Sequence, residues 1–170
     1  MNYSKIKWSD VSSGPGIRTS IYFSGCTHNC KGCFNPETHD FNAGEKWTKE
    51  IEDKIINHIK KNNLSGLNLL GGDPLQQIKD STLRDFIIRF KKETDKNIWV
   101  WTGYTFEDII DKNTEHCKIL ELCDVCVDGK YVEELANKKL RFAGSENQRV
   151  IDIQKSIQKK QTVLYFKECN

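Results

Sequence analysis

Several features are missing from this sequence, and each absence removes a class of protein. No window approaches the roughly 18 consecutive apolar residues of a membrane span, so no membrane association is expected. Met1 to Trp8 contains no apolar run of the kind a secretion leader needs. An excess of one charge is absent too: 26 basic and 24 acidic residues leave a net +2. A dedicated nucleic-acid binder would usually be strongly basic, so no nucleic-acid partner is expected. There is no internal repeat, low-complexity tract or obvious linker. A cytoplasmic protein is the expectation, in a compartment where disulfides are rare.

What is present is a polar but foldable chain of 170 residues, 37% hydrophobic and 29% charged. That is enough for one domain over 1–170, with a core at about 9–153 and a C-terminal strand and tail over 154–170. A domain of this size buries roughly two-thirds of its unfolded surface and does not need disulfides to fold. Yet it holds seven cysteines. In a reducing compartment these call for metal binding, redox chemistry or burial.

Strand and helix signals alternate along the chain. Ile17 to Phe23 reads as a strand after the turn Ser13-Gly14-Pro15-Gly16. Helices are expected over about Thr48–Lys60, with Thr48 as N-cap, and Ser81–Lys92, with Leu83, Phe86, Ile87 and Phe90 on one face. Shorter helical stretches cover Thr105–Ile110 and Glu115–Leu122. Leu67–Leu70, Asn97–Trp101 and Val125–Val127 read as strands, and Arg149–Ile153 and Thr162–Phe166 as further candidates. Such alternation implies right-handed crossovers and a mostly parallel sheet. In α/β folds the carboxyl ends of the strands carry the ligand site. The loops Cys26–Cys33, Gly71–Pro74, Thr102–Tyr104 and Asp128–Lys130 fall there, whereas Asn147, Gln148 and Arg149 precede a strand and are expected at the opposite end.

Cys26-Thr27-His28-Asn29-Cys30-Lys31-Gly32-Cys33 has the spacing C-x3-C-x2-C. Its thiolates can wrap one compact metal centre. Four ligands complete a structural zinc site or a fully ligated cluster. Three leave one metal position open, which on a 4Fe–4S cubane makes one iron available. A zinc knuckle with His28 or His39 as the fourth ligand is the alternative.

The placement of this motif just after a first strand resembles the radical S-adenosylmethionine (SAM) enzymes. Gly14-Pro15-Gly16-Ile17-Arg18 resembles the activases of glycyl-radical enzymes. Gly71-Gly72-Asp73-Pro74, Val100-Trp101-Thr102-Gly103-Tyr104, Asp124-Val125-Cys126-Val127-Asp128-Gly129 and Gly144-Ser145-Glu146-Asn147-Gln148-Arg149 follow in order. The combined set, from about Ser9 to Ile153, is similar to the activases of the anaerobic ribonucleoside-triphosphate reductase.

That resemblance implies an α/β, incomplete and open parallel βα barrel of the radical SAM type. It implies one 4Fe–4S cluster on Cys26, Cys30 and Cys33, with SAM on its open iron. Reductive cleavage of SAM would give a 5′-deoxyadenosyl radical, which takes hydrogen from a glycine of the reductase large subunit. The cofactors carry the chemistry, so no catalytic acid or base is nominated. Gly71, Gly72 and Asp73 would meet the methionine amino group. Gly32, Cys33 and Phe34 would lie near the adenine, although the wider superfamily often has an aromatic residue where Gly32 stands and Glu where Asp73 stands. Lys130 would pair with the methionine carboxylate, Asp128 would orient Lys130, and Thr102 would hydrogen-bond SAM. For each of these a plain turn or surface role is the alternative. A flavodoxin-like low-potential donor would supply the electron, with Lys91-Lys92 and Lys159-Lys160 as possible contacts. A radical SAM enzyme acting on a small molecule, or a zinc or electron-transfer module, are the competing readings. Cys117, Cys123 and Cys126 read as buried small hydrophobes and Cys169 as a tail residue.

Overall fold

The computed structural model describes residues 1–110, 112 and 114–166; Cys169 lies outside them. One mixed sheet organises the molecule. Its strands are β1 (Asn2–Asp10), β2 (Arg18–Ser24), β3 (Glu45–Lys46), β4 (Gly66–Gly71), β5 (Asn97–Trp101), β6 (Val125–Asp128) and β7 (Arg149–Asp152), in the order β3-β1-β2-β4-β5-β6-β7. The centre, β2-β4-β5-β6, is parallel. Both flanks are antiparallel, β1 and β3 on one side and β7 on the other.

Period-two alternation divides each central strand between two environments. Ile21, Phe23, Leu67, Leu69, Ile98, Val100 and Cys126 face the helices α1 (Lys49–Lys61), α2 (Thr82–Glu93) and α4 (Glu115–Glu121) and form the main core. On α1, Ile55, Ile56 and Ile59 are buried; on α2, Leu83, Phe86, Ile87 and Phe90 are wholly inaccessible. Thr48 caps α1 by accepting from the Ile51 amide, as its sequence suggests.

The opposite face is more polar. Arg18, Ser20, Asn68 and Trp99 point there. The buried Arg18 guanidinium donates to Asn68 Oδ1 and to the Leu67 and Asn97 carbonyls, and lies over Trp99. Burial lowers its pKa to about 10. A smaller apolar group of Trp99, Val125 and Val127, flanked by Trp101, Phe142 and Phe166, completes this face.

Three elements depart from the expectation. The N-terminal strand β1 is present although its sequence is polar, because as a flanking strand only Tyr3 and Asp10 of it are buried. Thr162–Phe166 forms no strand; it meets β7 through a single bridge, Ile151 with Leu164. Chain after Asp152 turns directly into α5 (Ile153–Lys159), capped by the Asp152 carboxylate accepting from the Lys155 amide. A short α3 (Phe106–Ile110) follows β5. No helix among the described residues is long and apolar enough to cross a membrane.

Phe90 is inaccessible and belongs to the main core. Phe90→Ala is expected to destabilise the fold by about 3–5 kcal/mol through lost burial and a residual cavity. Urea unfolding with an unchanged slope would measure it.

Candidate metal centre and adjoining cleft

All four parallel strands end on one edge, and their loops build a single site. After β2 the chain enters the cysteine loop. There the Gly25 amide donates to the Thr38 carbonyl (2.7 Å) and the Cys26 amide to the His39 carbonyl (3.1 Å). The Cys33 amide closes a turn onto the Cys30 carbonyl (3.2 Å), and Asn29 reverses the loop in the left-handed region with φ +48°. The three cysteines are half-buried. Burial raises the Cys26 thiol pKa, opposed by the amides of His28 and Asn29 directed at its sulfur. The Asn35 amide donates to Cys33 Sγ at 3.5 Å.

β4 ends at Gly71, whose φ of +106° and close approach to the Tyr22–Phe23 backbone leave no room for a side chain. The Gly72 amide donates to the Phe23 carbonyl (2.8 Å) and the Asp73 amide to the Gly25 carbonyl (3.0 Å). The strand-end glycines are thereby stitched to the start of the cysteine loop.

Cys26, Cys30, Cys33, Phe34, Gly71, Gly72, Thr102 and Lys130 share one open cleft of about 730 Å³. Lys5 and Lys7 from β1, Tyr22 from β2, and His28, His39, Trp101, Phe142 and Gln148 also line it. Phe34 is exposed and packs against Tyr131, ring centroids 4.9 Å apart. Gly32 lies outside the cleft lining and faces Glu133.

Other expected contact residues are occupied within the protein. The Asp73 carboxylate, 1% exposed, accepts from the Leu75 amide, the Thr102 hydroxyl, the Gly103 amide and His28 Nε2. Asp128, also 1% exposed, does not reach out to orient Lys130. It pairs with Arg149 and accepts from the Phe106 amide (2.8 Å). Lys130 is exposed and has no carboxylate partner among the described residues.

The position of Asn147–Arg149 corrects the expectation that these residues lie at the far end. β7 runs antiparallel to β6, so its first residue faces the last of β6: Arg149 pairs with Asp128. Gln148 Nε2 donates to the Gly129 carbonyl (2.9 Å) and Asn147 Nδ2 to the Lys130 carbonyl (2.8 Å). The whole Gly144–Arg149 motif braces the loop after β6. Pattern alone does not give a strand's direction, which is why its place was missed.

Nothing singled out Lys5 and Lys7, since β1 itself went unread. His28 was visible only as a loop residue. Its partner is 45 positions away.

Among the described residues, no three His, Cys, Asp or Glu side chains gather around a point as one metal ion requires. His28 and His39 line the same cleft as the cysteines, and His28 Nε2 is engaged by Asp73. A cubane distributes its thiolates over separate irons, so its ligands line a volume rather than meet at a point. Three half-buried thiolates at the mouth of one cleft suit such a cluster. The other described cysteines do not: Cys117, Cys123 and Cys126 are buried, and burial raises the Cys123 and Cys126 thiol pKa values well above the ordinary range.

A family model described as a 4Fe-4S single cluster domain matches residues 12–151. An anaerobic ribonucleoside-triphosphate reductase-activating protein of Vibrio cholerae is 42% identical over 151 residues, covering 87% of this chain and 96% of its own length. The protein of that name in Escherichia coli K12 is 38% identical over 153 residues, 88% of this chain and 97% of its own. That of Enterobacteria phage T4 is 38% identical over 151 residues, 88% and 93%. The chain belongs to this activating-protein family. Membership agrees with one 4Fe–4S cluster, and Cys26, Cys30 and Cys33 are the cysteines that line the cleft.

Arg149 bridges Asp128 to Glu107, whose carboxyl its guanidinium holds at about 2 instead of 4.5. A depressed carboxyl contributes stability above its ordinary value and loses it as pH falls toward its folded value. Arg149→Met is expected to cost about 2 kcal/mol, less than for a fully enclosed pair because Arg149 is 36% exposed. It should also flatten the loss of stability between pH 4.5 and 2 that Glu107 causes, as urea unfolding across pH would record.

Proposed function

We propose that the chain is the activase of an anaerobic ribonucleoside-triphosphate reductase, working by radical SAM chemistry. When bound, a reduced 4Fe–4S cluster supplies one electron that splits SAM into methionine and a 5′-deoxyadenosyl radical, and this radical takes a hydrogen atom from a glycine of the reductase. The observation that carries the proposal is the opening of Cys26, Cys30 and Cys33 onto the same cleft as Gly71 and Gly72.

The residues divide the binding work. The three cysteines hold the cluster and leave one iron free. The backbone of Gly71 and Gly72 receives the methionine amino group. Lys130, free of any carboxylate among the described residues, meets the methionine carboxylate. Cys33 and Phe34 border the adenine, exposed Phe34 packing on half-buried Tyr131, while Gly32, outside the cleft lining, shapes the loop behind them. Thr102 and Asp128 act from beneath: Thr102 fixes Asp73, and Asp128 with Arg149 fixes the loop that carries Lys130.

The sheet supports the finer reading of an open, incomplete βα barrel, since its parallel strands send their loops to one edge and its flanks are antiparallel. The reductase is then met as a loop entering from the side. The electron comes from a low-potential donor of the flavodoxin class; of the lysines considered for that contact, Lys91 is already tied to Asp124. A reducing cytoplasm suits the half-buried free thiols of the cleft.

The test is anaerobic reconstitution with iron and sulfide, reduction with SAM present, and measurement of 5′-deoxyadenosine and methionine. Addition of the reductase is expected to yield a glycyl radical by electron paramagnetic resonance. SAM cleavage without that radical would remove the reductase as target. A protein that takes up zinc but no iron would sink the whole reading. Cys30→Ala should abolish cleavage, while Cys123→Ala should retain it.

A further inference from the structure

His28 is held unlike an ordinary loop residue. It lies between two cluster cysteines, yet its side chain is 8% exposed and its Nε2 donates to Asp73 Oδ2 at 2.7 Å. A carboxylate can only accept, so Nε2 carries the hydrogen. The ring meets Tyr104 edge-on at 4.7 Å and lies against Gly103, where any side chain would clash with it.

Asp73 is fixed without His28. Three further donors occupy its carboxylate: the Leu75 amide at 2.9 Å, the Thr102 hydroxyl at 3.0 Å and the Gly103 amide at 3.0 Å. Two of these belong to the end of β5 and one to the turn after β4. The carboxylate is therefore a post and His28 is the part fastened to it. The same turn holds the loop at other points. The Thr27 amide donates to Gln76 Oε1 (2.8 Å), and Gln77 Nε2 donates to the Gly25 carbonyl (3.1 Å).

We infer that His28 and Asp73 are a positioning pair that presets the cluster loop against the ends of β4 and β5, so that the cysteines and the strand-end glycines keep one spacing before any ligand arrives. This rests on the reading of Gly71 and Gly72 as the methionine subsite and revises one part of it. With four protein donors, the Asp73 carboxylate serves the loop and leaves the methionine amino group to the glycine backbone. His28 belongs to the segment whose amides, at residues 28 and 29, oppose the effect of burial on the Cys26 thiol. Hydrogen bonds to cluster sulfurs tune the reduction potential.

His28→Phe keeps a ring against Gly103 and Tyr104 but removes the donor. His28→Gln keeps a donor at similar reach and removes the ring. Hydrogen exchange of the peptide covering residues 25–33 is followed in the full chain without its cluster. SAM affinity and the midpoint potential are measured after reconstitution. H28F is expected to exchange about tenfold faster, by the loss of one charge-assisted bond, and to bind SAM roughly tenfold or more weakly. Its potential should shift, and H28Q should recover most of each property.

An H28F loop that exchanges no faster than wild type overturns the inference, as does one that does so while SAM affinity and potential stay at wild-type values. If H28F takes up no cluster, H28Q decides: restored uptake supports the pair and continued loss overturns it. Wild-type protein that binds no SAM defeats the proposed function instead, while the exchange comparison still judges the pair.

Discussion

The arrangement of the site depends on one buried carboxylate. Asp73 is almost inaccessible, and an isolated carboxylate in that position would be strongly disfavoured. Donors from three chain segments satisfy it: the cysteine loop, the turn after β4 and the end of β5. Because each bond to a charged acceptor is stronger than a neutral one, the group acts as a knot among strand ends, beside the neutral bonds that Gln76 and Gln77 make to the cysteine loop. The cluster loop itself has no regular secondary structure. Its shape is held by this knot, by the Gln76 and Gln77 side chains, and by the bonds from the Gly25 and Cys26 amides to the Thr38 and His39 carbonyls.

A second ion pair performs the same service one strand further on. Asp128 closes β6, Arg149 opens β7, and Glu107 joins them from α3. The two carboxylates at the strand ends, Asp73 and Asp128, thus both stabilise loops from below. The groups facing the cleft include the three thiols, glycine backbone, aromatic rings, lysines and the side chains of His28 and His39.

The legible parts of the fold are those whose pattern is set by burial. β4, β5 and β6 read as short apolar runs ended by Gly71, Gly103 and Gly129, because parallel strands are covered on both faces. The faces of α1 and α2 were equally plain. β1 was hidden because it flanks the sheet and carries Lys5 and Lys7 outward. β7 was found, but its direction was not, since antiparallel pairing with β6 depends on partners and leaves no mark on a stretch as short as Arg149–Asp152. Among the site residues, the cysteines and glycines announced themselves by spacing. Asp73, Thr102 and Asp128 were recognisable as residues of the site while their partners were not. A side chain's partner is fixed by tertiary geometry, and each of these could have turned toward the cleft or beneath it.

The antiparallel flanks have a consequence for what this fold can become. A parallel sheet grows by adding crossover units at its margins, but here each margin is closed by a strand of opposite sense. Growth by that route is blocked on both sides. The connection from Gly129 to Gln148 spans one side of the cleft.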